Sequence, residues 1–100
     1  MERLGFEWDQ EKDSQNQAKH GVSFEEARTV FFDPSALVID DPDHSQTEER
    51  FLILGHSRAL RMLIVAHCFR RVYGVIWIIS ARKATKKETT QYAGGERHGR

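Results

Sequence analysis

Met62-Leu63-Ile64-Val65-Ala66-His67-Cys68-Phe69 and Val75-Ile76-Trp77-Ile78-Ile79-Ser80-Ala81, joined by a turn near Arg71 to Gly74, decide how this chain folds. Two apolar runs of strand length, reversed within a few residues, read as an antiparallel pair. Working backwards, Gly55 to Arg61 holds a hairpin turn, Arg50 to Leu54 a strand before it, and Ala36 to Ile39 another. Consecutive strands with short connections form a meander, and such a sheet can leave one face open to a ligand.

The N-terminal third reads differently. Leu4 to Trp8 is a short opening strand with Phe6 and Trp8 on one face. Asp9 is an N-cap for a helix from Gln10 to His20, whose best face is polar (Lys12, Asn16, Lys19), and Gly21 ends it. Ser23-Phe24-Glu25-Glu26 is a capping box opening a second helix with Phe24, Ala27 and Phe31 buried, and Asp33-Pro34 stops it. Thr85 to Tyr92 reads as a last helix, and residues 94–100 as a loose tail. The expectation is one α+β domain over residues 1–93: an antiparallel sheet of about four to five strands, two N-terminal helices and one C-terminal helix.

With 100 residues, 39% of them apolar, the chain can build one core of modest stability. Its longest apolar runs are too short to span a bilayer, and no secretory leader opens it, so the cytoplasm is the expected compartment. Cys68, the lone cysteine, excludes an internal disulfide and reads as a buried, inert thiol. Formal net charge is zero but polarised. Carboxylates crowd residues 33–50 (Asp33, Asp40, Asp41, Asp43, Glu48, Glu49), and cations crowd the C-terminal quarter (Arg82, Lys83, Lys86, Lys87, Arg97, Arg100). That balance argues against bulk adhesion to duplex DNA and permits a focused anion site. A buried strand running straight into Arg82-Lys83 suits holding cations toward an RNA phosphate, although a charged strand end is also ordinary surface.

Several segments together resemble the BrnT family, the toxins of BrnT/BrnA toxin–antitoxin pairs. They are Phe6-Glu7-Trp8-Asp9, Lys12, Asn16, Lys19-His20-Gly21-Val22-Ser23-Phe24-Glu25-Glu26-Ala27, Asp33-Pro34, Glu48-Glu49-Arg50, Gly55, His67 and Ile78-Ile79-Ser80-Ala81-Arg82-Lys83-Ala84. The resemblance runs from Phe6 to about Tyr92. It implies a RelE-like ribonuclease toxin fold and an endoribonuclease that needs no metal or other cofactor and inhibits translation. It also implies a ribbon-helix-helix antitoxin of the BrnA type as partner, with operator DNA reached only through that antitoxin. One position departs from the family pattern: Trp77 stands where members often carry a basic residue. A toxin weakened there, acting mainly as its antitoxin's partner, is the alternative; a base-stacking or a plain core tryptophan are the others.

Metal-free cleavage uses the ribose 2′-hydroxyl as nucleophile, so the protein must move protons and neutralise a phosphorane-like transition state. Arg82 and Arg50 are the candidate phosphate cations, each with an ordinary ion pair as its competing role, for Arg82 with Glu88. Glu49, beside Arg50, is the candidate base. His67 has an imidazole suited to proton transfer and shares a strand face with Arg61, Leu63 and Val65. His20 either contacts substrate or caps its helix. Lys12, Lys19, Lys83 and Trp77 are candidate RNA contacts, while Lys86 and Lys87 steer phosphate or face solvent. Asp40-Asp41-Pro42-Asp43-His44 lacks metal-loop spacing and reads as a solvated acidic turn.

Overall fold

The computed structural model describes residues 5–41, 50–70 and 74–97. Its elements in chain order are β1 (Gly5–Glu7), α1 (Gln10–His20), α2 (Phe24–Arg28) continued by a 3-10 turn (Thr29–Phe32), β2 (Leu37–Asp40), β3 (Phe51–His56), β4 (Met62–Phe69), β5 (Val75–Lys83) and α3 (Lys86–Arg97). The five strands form one sheet in the order β1-β5-β4-β3-β2. β2 to β5 make the expected antiparallel meander, whereas β1 returns to pair with β5 in parallel. The crossover formed by α1 and α2 makes that parallel pairing reachable.

Local chemistry fixes the helix ends. The Asp9 carboxylate accepts from the N–H groups of Glu11 and Lys12, and Gly21 closes α1 at φ +70°. Ser23 caps α2 by accepting from Glu26 N–H. α3 extends past its expected end at Tyr92, into the segment expected to be a loose tail.

The core lies between the sheet and the α1–α2 layer. Val22, Phe24, Ala27 and Val30 pack on Ile53, Leu63, Val65, Ile78 and Ala81, with Phe6 and Trp8 against the same cluster. α1 itself carries almost no apolar residue; it is held by Asn16, which is buried. The Asn16 amide donates to the carbonyls of Val22 and Ala81, both at 2.8 Å, and accepts from Ala81 N–H at 3.1 Å. The polar face expected to meet solvent or RNA is therefore partly the packing face, with Lys12 and Lys19 exposed on either side of it. Glu26 performs a similar service: its carboxylate accepts from Arg61 and from the Ser57 hydroxyl, tying α2 to the β3–β4 turn. The Arg61 hydrogen bonds hold Glu26 below the usual carboxylate range, outweighing burial.

The second sheet face is treated differently along its length. At one end Leu54 and Ile64 are covered by Tyr92 of α3, with Leu37, Leu52, Met62 and Ala84 around them. The rest of that face carries no helix layer among the described residues. Gly55 allows close packing beneath it, because a Cβ there would meet Asp33 Oδ2 at 2.9 Å and Ala36 Cβ at 3.0 Å.

Candidate active site

Strand parity sends Arg50, Leu52, Ile64, Ala66, Ser80 and Arg82 to the uncovered face, where with Asp41 they line a pocket of about 170 Å3. Arg50 and Arg82, far apart in sequence, thus border one cavity. Directly opposed pairs on adjacent strands, Leu52 with Ala66, Ala66 with Ser80 and Ile64 with Arg82, bring them together. Asp41 also belongs here. Expected in a solvated acidic turn, it is instead buried, and its N–H donates to the Arg50 carbonyl at 3.0 Å.

Arg82 does not reach into the pocket unattended. Its Nη1 and Nη2 each donate to one oxygen of Glu88 at 2.9 Å, a fork-to-fork pair. Glu88 is itself fixed, since Thr85 and Glu88 exchange side-chain and backbone hydrogen bonds as the capping box of α3. The hydrogen bonds from Arg82 lead in pulling the Glu88 carboxyl down to about 2, and the same pair raises Arg82 further above its ordinary value. Both groups are charged at any physiological pH. The ion pair weighed as the competing role of Arg82 therefore exists, and it fixes the guanidinium at the pocket's edge. Glu88 was open to view in the sequence as the fourth residue of Thr85-Lys86-Lys87-Glu88.

The other candidates fall elsewhere. His67 does lie on the face of Leu63 and Val65, but that face is the covered one. Its ring is 1% exposed and packs edge-on against Phe31 (4.7 Å between centroids) and Phe69 (5.7 Å). Burial pushes its pKa below the ordinary value, and Nδ1 lies 3.2 Å from the Val65 carbonyl, placing a proton on that nitrogen. A neutral, walled-in imidazole is a core residue. His20 ends α1 on the covered side, and Lys83 shares the parity of Ala81, close enough to Glu26 to lower its pKa. Lys12 and Lys19 are exposed on α1. None of these borders the pocket of Arg50 and Arg82. Glu49 lies outside the described residues, as do Pro42, Asp43, His44 and Glu48. Cys68 is half-buried, not sealed in the core.

Trp77 faces the uncovered side. Strict alternation would put it opposite Arg82, because an odd number of positions separates them. A bulge corrects this: Ala66 pairs with Ser80 but His67 with Ile78, so Ile79 is the extra residue. The guanidinium of Arg70 stacks 4.2 Å above the Trp77 ring. Among the described residues, no three His, Cys, Asp or Glu side chains come together as metal ligands. A larger depression of about 440 Å3 on the covered side, between Phe32, Asp33, His56 and Arg58, carries mixed charge. Its central carboxylate, Asp33, accepts from Ser35 N–H, His56 N–H and the Tyr92 hydroxyl, so it serves the fold.

The fold resembles a solved one. Over 86% of this chain and all of the other, it superposes on the crystal structure of the ribonuclease toxin BrnT of Brucella abortus, with a TM-score of 0.60 at 24% identity. Comparison with curated proteins finds no match. A family model described as the ribonuclease toxin BrnT of type II toxin–antitoxin systems matches residues 8–88. With most of its length, from the FEWD strand end through the capping box of α3, covered by that match, the chain belongs to the BrnT family of ribonuclease toxins.

Proposed function

We propose that this chain is an endoribonuclease of the RelE-like kind that binds single-stranded RNA across the uncovered sheet face and cuts it without metal. The observation that carries this reading is the convergence of Arg50 and Arg82 on one pocket. Two guanidiniums, one leading into β3 and one on β5 with β4 between them, can grip the scissile phosphate and stabilise charge as the 2′-hydroxyl attacks it. The 2′-oxygen bonds to phosphorus, the bond to the 5′-oxygen breaks, and a 2′,3′-cyclic phosphate and a 5′-hydroxyl result. Asp41, and Glu49 beside Arg50, are the carboxylates assigned to proton transfer; Glu88 orients Arg82. Cleavage of cytoplasmic RNA in this way inhibits translation, and a BrnA-type ribbon-helix-helix antitoxin restrains the toxin and carries the pair to operator DNA.

The test is cleavage by the purified chain, freed of partner, in EDTA. Cyclic-phosphate ends, no cutting at a position made 2′-deoxy, and loss of cutting in Arg50→Ala and Arg82→Ala are expected. Metal-dependent cutting, or cutting unchanged in both variants, contradicts the mechanism. A second reading is a weakened toxin that serves chiefly as an antitoxin partner, favoured by Trp77 and by the engagement of Arg82 with Glu88. Intact RNA, tight antitoxin binding and cutting revived by Trp77→Arg would establish that reading instead.

A further inference from the structure

Beyond the pocket of Arg50 and Arg82, the β1 edge of the sheet, where Glu7 and Trp77 of the uncovered face meet Phe6 and Trp8 of the covered one, holds a second cavity with no role in the chemistry above. It measures about 330 Å3 and lies at the β1–β5 edge, between Phe6, Glu7, Trp8, Gln10 and Trp77. We propose that it is a nucleotide subsite of the same RNA path, taking an unpaired guanine base in the cavity and the adjoining phosphate on Arg70. The proposal rests on the RNA-binding reading of the open face.

Three observations point to a nucleotide. First, the walls are aromatic: Trp77 is half-buried and paired across the sheet with Glu7, and Trp8 closes the other side. Indole walls accept any base by stacking. Second, polar groups with unused capacity line it. Glu7 and Gln10 are both exposed, and among the described residues neither side chain makes a hydrogen bond or ion pair. Third, an exposed arginine is held in place beside the cavity. Arg70 lies over the Trp77 ring, and among the described residues its guanidinium makes no ion pair or hydrogen bond. Stacking restrains the plane of a guanidinium while leaving its N–H edges free for phosphate oxygens.

The carboxylate chooses the base. Guanine presents two adjacent donors, N1–H and the 2-amino group, to match the two oxygens of Glu7. Uracil, cytosine and adenine each place an acceptor beside a donor on that edge, and an acceptor facing a carboxylate is repelled. Arg70 and Glu7 also cancel in charge, so recognition here comes from base and geometry rather than from bulk attraction. The β5 bulge aligns this cavity with the Arg82 pocket, because without it Trp77 would face the core. One strand of RNA can then run along β5 past both.

The experiment measures binding of the whole chain to short oligoribonucleotides, 2′-deoxy throughout the cut region, with one guanosine moved through an otherwise cytidine strand. Guanosine at one position should bind about tenfold tighter than adenosine or inosine there. Glu7→Gln should erase that preference. Arg70→Ala should weaken every strand about 5–10-fold and lower the salt slope by roughly 0.7, one phosphate contact on single-stranded RNA. Trp77→Phe, which keeps an aromatic wall, should retain the guanosine preference with weaker Arg70 dependence; Trp77→Ala, checked for folding by circular dichroism, should lose both. Absence of any base preference, a preference untouched by Glu7→Gln, or affinity untouched by Arg70→Ala overturns the subsite. Guanosine 5′-monophosphate alone binding as tightly as the strand would assign the cavity to a free nucleotide and likewise overturn it. Arg50→Ala and Arg82→Ala are measured alongside. If they abolish cleavage while the Glu7 and Arg70 variants change nothing, the subsite fails and the cleft reading stands; if they change neither cleavage nor binding, it is the cleft reading that fails.

Discussion

Arg82 meets Glu88 through both ends of its guanidinium fork, and this leaves its remaining N–H edge for a phosphate. An arginine so restrained loses less freedom on binding substrate than a solvated one. Removing it, or Arg50, should lower single-turnover cleavage by about 10²–10³-fold, the scale of losing one preorganised donor to a transition state. Glu88→Gln keeps the shape and weakens the restraint, so its cutting should fall less than in Arg82→Ala; an equal fall would make Glu88 itself the proton carrier. The pair also sets a pH dependence. Glu88 falls from an ordinary 4.5 to about 2 in the folded chain. Between those values the unfolded chain binds the proton and the folded chain does not, so this stability is fully present above about pH 4.5 and is lost as pH falls toward 2. Denaturant midpoints taken across that window should drop steeply in the parent and less steeply in Glu88→Gln. His67, whose pKa is lowered by burial, adds a loss of the same sign that begins as pH falls below 6.5.

At the scale of elements, polar side chains do as much positioning as apolar ones. Asn16→Ala leaves the carbonyls of Val22 and Ala81 and the Ala81 N–H without their partner, at about 1–3 kcal/mol for each group left buried. It should destabilise the chain by about 3 kcal/mol or more, read as a shift of the denaturant midpoint, and a neutral result would mean α1 is held by something else. Gly55→Ala drives a methyl into Asp33 and Ala36 and should cost about 1–3 kcal/mol by the same measurement. These elements differ in how legible they were. α1 was readable to the residue because Asp9 and Gly21 mark its ends chemically. β4 was equally readable, as an apolar run bounded by turns. The β5 bulge was not, because it is a mismatch between two strands and leaves no trace in either alone. Its effect is that Trp77 shares a face with Arg82, which alternation along one strand denies. Nor did Asn16 show its role: a polar residue on a polar helix looks solvated until the carbonyl it satisfies arrives from β5.

For the whole molecule, the decisive fact is that the sheet has one face under α1 and α2 and another mostly without a helix layer among the described residues. Both faces of β4 are apolar, so the sequence could not say which of them a helix would cover. That ambiguity separated the candidates. His67, His20, Lys83, Lys12 and Lys19 went with the covered side, and Arg50, Arg82 and Trp77 with the open one. The segments that carried the family resemblance divide along the same line. Much of the Lys19 to Ala27 stretch builds the covered layer through Gly21, Ser23 and Glu26, while the stretch ending at Arg82 supplies the open face. The most direct test of this account is to map bound RNA on the molecule: amide and methyl shifts of the labelled chain titrated with an uncleavable 2′-deoxy-substituted strand. Shifts should concentrate at Arg50, Leu52, Ala66, Ser80 and Arg82; shifts confined to α1 and α2 would contradict it.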